Sequence, residues 1–220
     1  MKFPRLSALP ALVAVLALPV SQFAIEPPNL NTAKYEIYRY VSSGTYAKDL
    51  YEAAQRANRY IAHRLTKPAK PGQKLAIVLD IDETTLSNLP HMMQQDFGYI
   101  PAVWQRWVAS GQAKAIAPVQ LGYDMAVRAN IAVFFVTARK ESDRPGTERN
   151  LREVGYDTWT KIYFMPDEPE PVRLYKTGIR KQLVAEGYTI IANIGDQESD
   201  LAGGYAERTF KLPNPFYIVQ

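Results

Sequence analysis

Two pairs of aspartates dominate the chemistry this chain can offer. Asp80 and Asp82 stand in Leu79–Asp80–Ile81–Asp82–Glu83–Thr84–Thr85, and Asp196 and Asp200 in Ile194–Gly195–Asp196–Gln197–Glu198–Ser199–Asp200. Between them lie Val136–Thr137–Ala138–Arg139 and, further on, Lys176. Asp80 and Asp196, with Asp200 nearby, are too many carboxylates to share a desolvated pocket uncompensated, because like charges at close range push at least one to protonate. A hard divalent cation relieves that repulsion, and Mg2+ is the usual partner of a few carboxylates and a phosphate oxygen. A cation among aspartates also screens a carboxylate enough to let it attack an anionic phosphorus. The Thr137 hydroxyl and the Lys176 ammonium would then contact the phosphoryl oxygens as their charge reorganises. Asp82, two residues past Asp80 where the chain leaves its strand, can reach the leaving-group side, where a carboxyl suits a general acid that later activates water. The predicted reaction class is phosphoryl transfer through an aspartyl-phosphate.

Singly, each piece has a plainer reading. A D-x-D at a strand end is often a solvated turn, Thr137 a strand-end hydrogen bond, Gly195–Asp196 a tight turn and Lys176 a surface lysine. What makes the set specific is that each member follows a predicted strand or opens a predicted helix, in this order.

The elements that must position them can be read from apolar periodicity. Leu75–Leu79, Ile131–Val136 and Tyr188–Ile194 are short continuous apolar runs, as for strands buried on both faces, and Ile162–Phe164 is a weaker fourth. Helical patterns lie between them: Leu121 with Met125, a segment from Thr147 to Gly155, and one from Thr177 to Gly187. Ahead of the first strand, Thr32 is read as a helix cap, Ser42–Ser43–Gly44 as a break, and Tyr46, Leu50, Ala54, Ala57, Ile61 and Leu65 as one apolar helix face. Strands alternating with crossover helices predict an α/β, Rossmann-like, mainly parallel sheet flanked by helices. Ligands of such sheets bind just beyond the carboxyl ends of the strands, so the three polar clusters converge there.

Composition narrows the class. With 220 residues, 47% of them hydrophobic and 22% charged, the chain can bury a sizeable core, which argues against a disordered tail. It has no cysteine, excluding disulfides, thiolate metal sites and cysteine nucleophiles, and only two histidines, His63 and His91. The excess of 26 basic over 22 acidic residues is mild and scattered, so no nucleic-acid groove is expected. At the start, Lys2 and Arg5, the apolar Leu6–Val20 and the small Ser21 and Ala24 follow the order of a secretory signal peptide. That run is shorter than the roughly 20 residues that span a bilayer and holds Pro10 and Pro19, so residues 1–24 are expected to be a leader and an uncleaved leader the only membrane contact.

On these motifs the sequence resembles haloacid dehalogenase (HAD) superfamily phosphatases, in the group of bacterial and plant acid phosphatases and plant vegetative storage proteins. Asp80, Asp82 and Thr84 meet the D-x-D-x-T motif, Thr137 the second, Lys176 the third, and Gly195, Asp196 and Asp200 the G-D-x-x-x-D fourth; Arg208–Pro215 resembles the plant acid phosphatase ending. The resemblance implies Asp80 as nucleophile, Asp82 as general acid/base, and Mg2+ bound by Asp80, the Asp82 backbone carbonyl and Asp196, with Asp200 and Thr84 in support. Lys161, which precedes a strand, is the weaker choice for the lysine. It also implies a HAD-like domain over residues 25–220 with a helical extension at 32–66 and a small cap over the site at about 86–118. Small phosphomonoesters, nucleotides among them, are the implied substrates, and a soluble periplasmic or secreted enzyme the expected setting.

In the insert, Phe97, Tyr99 and Trp104 are candidates to stack a nucleobase or aryl leaving group, and Trp107 is read as core of the insert. Arg139 and Arg144 are candidate substrate contacts. The alternatives are a weakly active storage or binding protein on the same fold, a phosphotransferase passing the group to an alcohol, and a signalling receiver domain, against which export and the D-x-D-x-T arrangement weigh.

Overall fold

The computed structural model describes residues 27–67, 69–168 and 170–219. The leader read in residues 1–24 lies outside them. The described chain opens with two helices. α1 (Leu30–Ser42) is capped by Asn29, whose side chain accepts the Asn31 N–H at 3.0 Å, so the cap falls there and not at Thr32. Gly44, at φ 80°, makes the turn into α2 (Thr45–Leu65), and the apolar stripe of α2 from Tyr46 to Ile61 is buried.

β1 (Lys74–Leu79) follows. The chain then leaves the sheet through an insert of β2 (Leu86–Ser87), α3 (Leu89–Gln94), α4 (Pro101–Ser110) and β3 (Lys114–Ala115), where β2 and β3 pair antiparallel and close its neck. α5 (Ala117–Arg128), β4 (Ala132–Lys140), α6 (Arg144–Glu153), β5 (Lys161–Met165), α7 (Val172–Ala185), β6 (Tyr188–Gly195), the short α8 (Glu198–Leu201) and β7 (Thr209–Lys211) complete the chain. Five strands form one sheet, ordered β5-β4-β1-β6-β7, with every pair parallel.

Helices cover both faces, which is why the strands read as unbroken apolar runs. On one face Ile77, Leu79, Phe135 and Ile194 pack with Ala54, Ala57 and Ile61 of α2 and Val119 and Tyr123 of α5. On the other, Val78, Phe134, Val136 and Ile190 pack with Val172, Tyr175 and Leu183 of α7. Each buried Val, Leu, Ile or Phe among them contributes about 1.5–3 kcal/mol. Three further boundaries differ from the sequence reading. α6 begins at Arg144, where Pro145 suits a first turn that needs no N–H, so Thr147 lies inside it. α7 begins at Val172, five residues before Thr177. β4 continues past Val136 to Lys140 and carries Thr137 and Arg139 within the strand.

Candidate active site

β4, β1 and β6 are neighbours in the sheet, and their carboxyl ends deliver Thr137, Asp80 and Asp196 to one edge. The turn into α8 brings Asp200 back over Gly195. A Cβ at Gly195 would sit 2.4 Å from the Cβ of Asp200, so only glycine allows that approach. The second turn of α7 adds Lys176, whose Nζ donates to Asp80 Oδ1 at 2.5 Å and to Asp200 Oδ1 at 2.6 Å. All five side chains (Thr137, Asp80, Asp196, Asp200 and Lys176) are buried.

One carboxylate oxygen from each of Asp80, Asp196 and Asp200 lies within 4.8 Å of the others, against a single ammonium. Burial, and next the charge of Asp200, push the Asp80 carboxyl well above the ordinary carboxylate range, although Lys176 opposes the shift. Asp196 is raised for the same two reasons. Burial alone would lower the Lys176 ammonium, but Asp200 and Asp80 outweigh it and hold the charge on. A buried all-oxygen donor set with more negative charge than its one lysine can balance fits a hard divalent cation.

Asp82 stands apart from this cluster. The Arg139 guanidinium grips it through Nε, 3.1 Å from both carboxylate oxygens, and through Nη2 at 2.7 Å from Oδ1, while Nη1 donates to Thr147 Oγ1 at 2.9 Å. Asn88 donates to Asp82 Oδ1 at 2.8 Å. Arg139 is thus buried against Asp82, with its guanidinium 5.7 Å from the Trp104 ring. Thr84 donates to Asp196 Oδ1 at 3.2 Å, and Thr137 Oγ1 accepts the Arg139 N–H at 3.1 Å.

A cavity of about 460 Å3 opens over these groups, lined by Asp80, Asp82, Lys176 and Asp196 at its floor and by Phe97, Tyr99 and Trp104 from the insert. Of the other residues read from the sequence, Arg144 and Lys161 lie away from this floor and Trp107 packs within the insert, as read. Arg144 pairs with Glu141 and Glu148, Lys161 sits over the Tyr163 ring at 4.4 Å, and Trp107 stacks on His91 and donates to Asn88 Oδ1.

Several participants were not singled out from sequence. Glu83, at φ 53°, turns its buried carboxylate to the Asn88 backbone N–H, the Asn88 amide and the Tyr217 hydroxyl. Burial first, then the Asp82 charge, push it up to about 8. Gln197 and Asn214 each donate to Asp196 Oδ2 at 2.6 Å. The tail from Phe216 to Val219 forms a wall of the cavity. Glu83 abuts the D-x-D motif, which could have flagged it; Asn214 lies in the Arg208–Pro215 ending read from the resemblance, though nothing there pointed to Asp196, and Tyr217 carries no local signal.

A family model described as HAD superfamily, subfamily IIIB (Acid phosphatase) matches residues 7–220. The Stem 28 kDa glycoprotein of Glycine max is 34% identical over 190 residues, 82% of this chain and 72% of that protein. Acid phosphatase 1 of Solanum lycopersicum is 35% identical over 148 residues, and the match spans 64% of this chain and 58% of that enzyme. Vegetative storage protein 1 of Arabidopsis thaliana is 32% identical over 147 residues, 64% of this chain and 54% of that protein. The class C acid phosphatase from Bacillus anthracis shares the fold, with a TM-score of 0.68 and 23% identity over 86% of this chain and 84% of that one.

Proposed function

The chain belongs to the HAD subfamily IIIB acid phosphatases, and from that membership we propose that it hydrolyses small phosphomonoesters, nucleotides included, with Mg2+ and through an aspartyl-phosphate on Asp80. The observation that carries the reading is the meeting of Asp80, Lys176, Asp196 and Asp200 at one cavity floor with Asp82 beside them.

Asp80, the Asp82 backbone carbonyl and Asp196 are the residues to hold the cation, which would neutralise the phosphoryl oxygens. Lys176 fixes Asp80 through Oδ1 and leaves Oδ2 without a hydrogen-bond partner among the described residues. The Asp80 carboxylate attacks phosphorus, the bond to the leaving oxygen breaks, and Asp82 gives that oxygen its proton. Asp82 then takes a proton from water, the water oxygen attacks the phosphoryl group, and the bond to Asp80 breaks to release inorganic phosphate. Arg139 grips the Asp82 carboxylate through Nε and Nη2, which orients it without touching the reacting atoms.

Asp80→Asn should abolish phosphate release from p-nitrophenyl phosphate, by a factor on the order of 10³ or more, and Asp82→Asn should slow it about 10²- to 10⁴-fold. Both should leave the fold intact by circular dichroism. Turnover at the normal rate in the Asp80 variant would remove that residue from the role of nucleophile. EDTA should stop the reaction and Mg2+ restore it. The basic–apolar–small order of residues 1–24 supports export to the periplasm or medium, checked by fractionating cells that express the full chain. The storage proteins among its relatives favour a second reading, a reserve protein with little activity. Purified protein without turnover on any of a panel of phosphate esters would establish it.

A further inference from the structure

The C-terminal segment after β7 runs back across the carboxyl end of β6. Leu212 N–H donates to the Gly195 carbonyl at 2.9 Å, and the chain then passes over the Asp196–Ser199 turn. It is fastened there at several points. Val219 N–H donates to Gln197 Oε1 at 3.0 Å and the Ser199 hydroxyl donates to the Val219 carbonyl at 3.0 Å, while within the segment Phe216 N–H donates to Asn214 Oδ1 at 2.8 Å.

Two side-chain amides are locked by these contacts with their NH2 groups facing Asp196. Gln197 Nε2 and Asn214 Nδ2 both lie 2.6 Å from Asp196 Oδ2. A carboxylate oxygen has two lone pairs, so Oδ2 is fully used. Among the described residues Oδ1 accepts only the longer Thr84 bond at 3.2 Å, which leaves it a lone pair. The carboxylate therefore cannot turn without giving up two short bonds, and its available lone pair is on Oδ1. Neither amide carries charge, so this grip orients Asp196 without neutralising it, as a cation ligand requires.

We propose that Asn214, presented by this strap, is a positioning residue that works with Gln197 to hold Asp196 for the divalent cation, so that the last residues of the chain set cation affinity. The inference rests on the metal reading of the site given above. Outer partners of this kind are worth about 10- to 100-fold in metal affinity.

The test titrates Mg2+ alone into metal-free full-length protein by calorimetry, without substrate. Asn214→Leu, which keeps the volume and removes the amide, should weaken Mg2+ binding about tenfold or more, and the activity it loses at low Mg2+ should return as Mg2+ is raised. Gln197→Leu should shift binding in the same direction, and it carries the test if Asn214→Leu does not fold. A stop after Pro215, which frees Gln197 from Val219, should weaken binding less than either. Affinity equal to wild type in a folded Asn214→Leu or Gln197→Leu protein would overturn the proposal, as would lost activity that added Mg2+ cannot recover. Wild type that binds no Mg2+, or an Asp196→Asn variant that binds it normally, would instead remove the metal reading and this inference with it.

Discussion

At the scale of single residues, the pairing of Arg139 with Asp82 decides most. Arg139 is 4% exposed, so its charge depends on a partner that is itself mostly covered. Removing the guanidinium leaves a carboxylate with, among the described residues, only the Asn88 amide to answer it. Arg139→Met should cost about 2–4 kcal/mol in urea unfolding and slow turnover at least tenfold. Arg139→Lys should recover part of the stability and little of the rate, because an ammonium cannot match the two-point grip. Equal turnover in Arg139→Lys and wild type would show that the grip does not orient Asp82. This role was hidden in the sequence. Asp80, Asp82 and Thr84 announce themselves because their spacing is local, whereas Arg139 meets Asp82 across 57 positions and Tyr217 meets Glu83 across 134. Arg139 on its own reads equally well as a hand for substrate phosphate.

At the scale of elements, the sheet was legible and the pieces around it less so. A strand buried on both faces advertises itself by an unbroken apolar run, and β1, β4 and β6 did. β7 has three residues, none of them buried, and β2 and β3 have two each, too short for any pattern. The link between α1 and the insert was invisible for another reason, since it is made by side chains far apart in sequence. Lys34 and Tyr38 both bond Asp96, and the Tyr38 ring meets Phe97 at 5.0 Å. Asp96 and Phe97 sit at φ 50° and 59°, a left-handed pair that L residues resist at about 1–2 kcal/mol each. α1 thus braces a strained turn that puts Phe97 into the cavity wall, parallel to Phe216 at 5.9 Å. Tyr38→Ala should raise KM for aryl phosphates several-fold and leave inhibition by inorganic phosphate unchanged. An unchanged KM would mean that the turn holds without α1. At the end of β6, Gly195→Ala should cost about 1–3 kcal/mol and disturb the Lys176 pairing, because the new methyl group must displace Asp200.

For the whole molecule, the consequence of gathering so many acids in one interior is a stability that depends on protons and on metal in opposite ways. Asp80, Asp196 and Glu83 all have carboxyls raised above their ordinary values, chiefly by burial. The folded state therefore holds more protons than the unfolded chain over the window between the two sets of values, which for Glu83 runs from an ordinary 4.5 to about 8. Stability from such groups is complete below the unfolded value and is lost as pH rises through the folded one. The metal-free protein should accordingly melt at a higher temperature near pH 5 than near pH 8. Glu83→Gln should flatten part of that slope, since the neutral amide has no proton to lose. A cation competes for the same oxygens, so Mg2+ should raise the melting temperature more at pH 8 than at pH 5. At a hundredfold excess over Kd the gain is about 2.7 kcal/mol, or roughly 5–10 °C for a chain of this size. A calorimetric series over pH 5 to 8, with and without Mg2+, reads both trends. A metal-free melting temperature that climbs toward pH 8, or a Mg2+ increment independent of pH, would mean that the carboxylates at the sheet edge do not share one low-dielectric, cation-seeking interior.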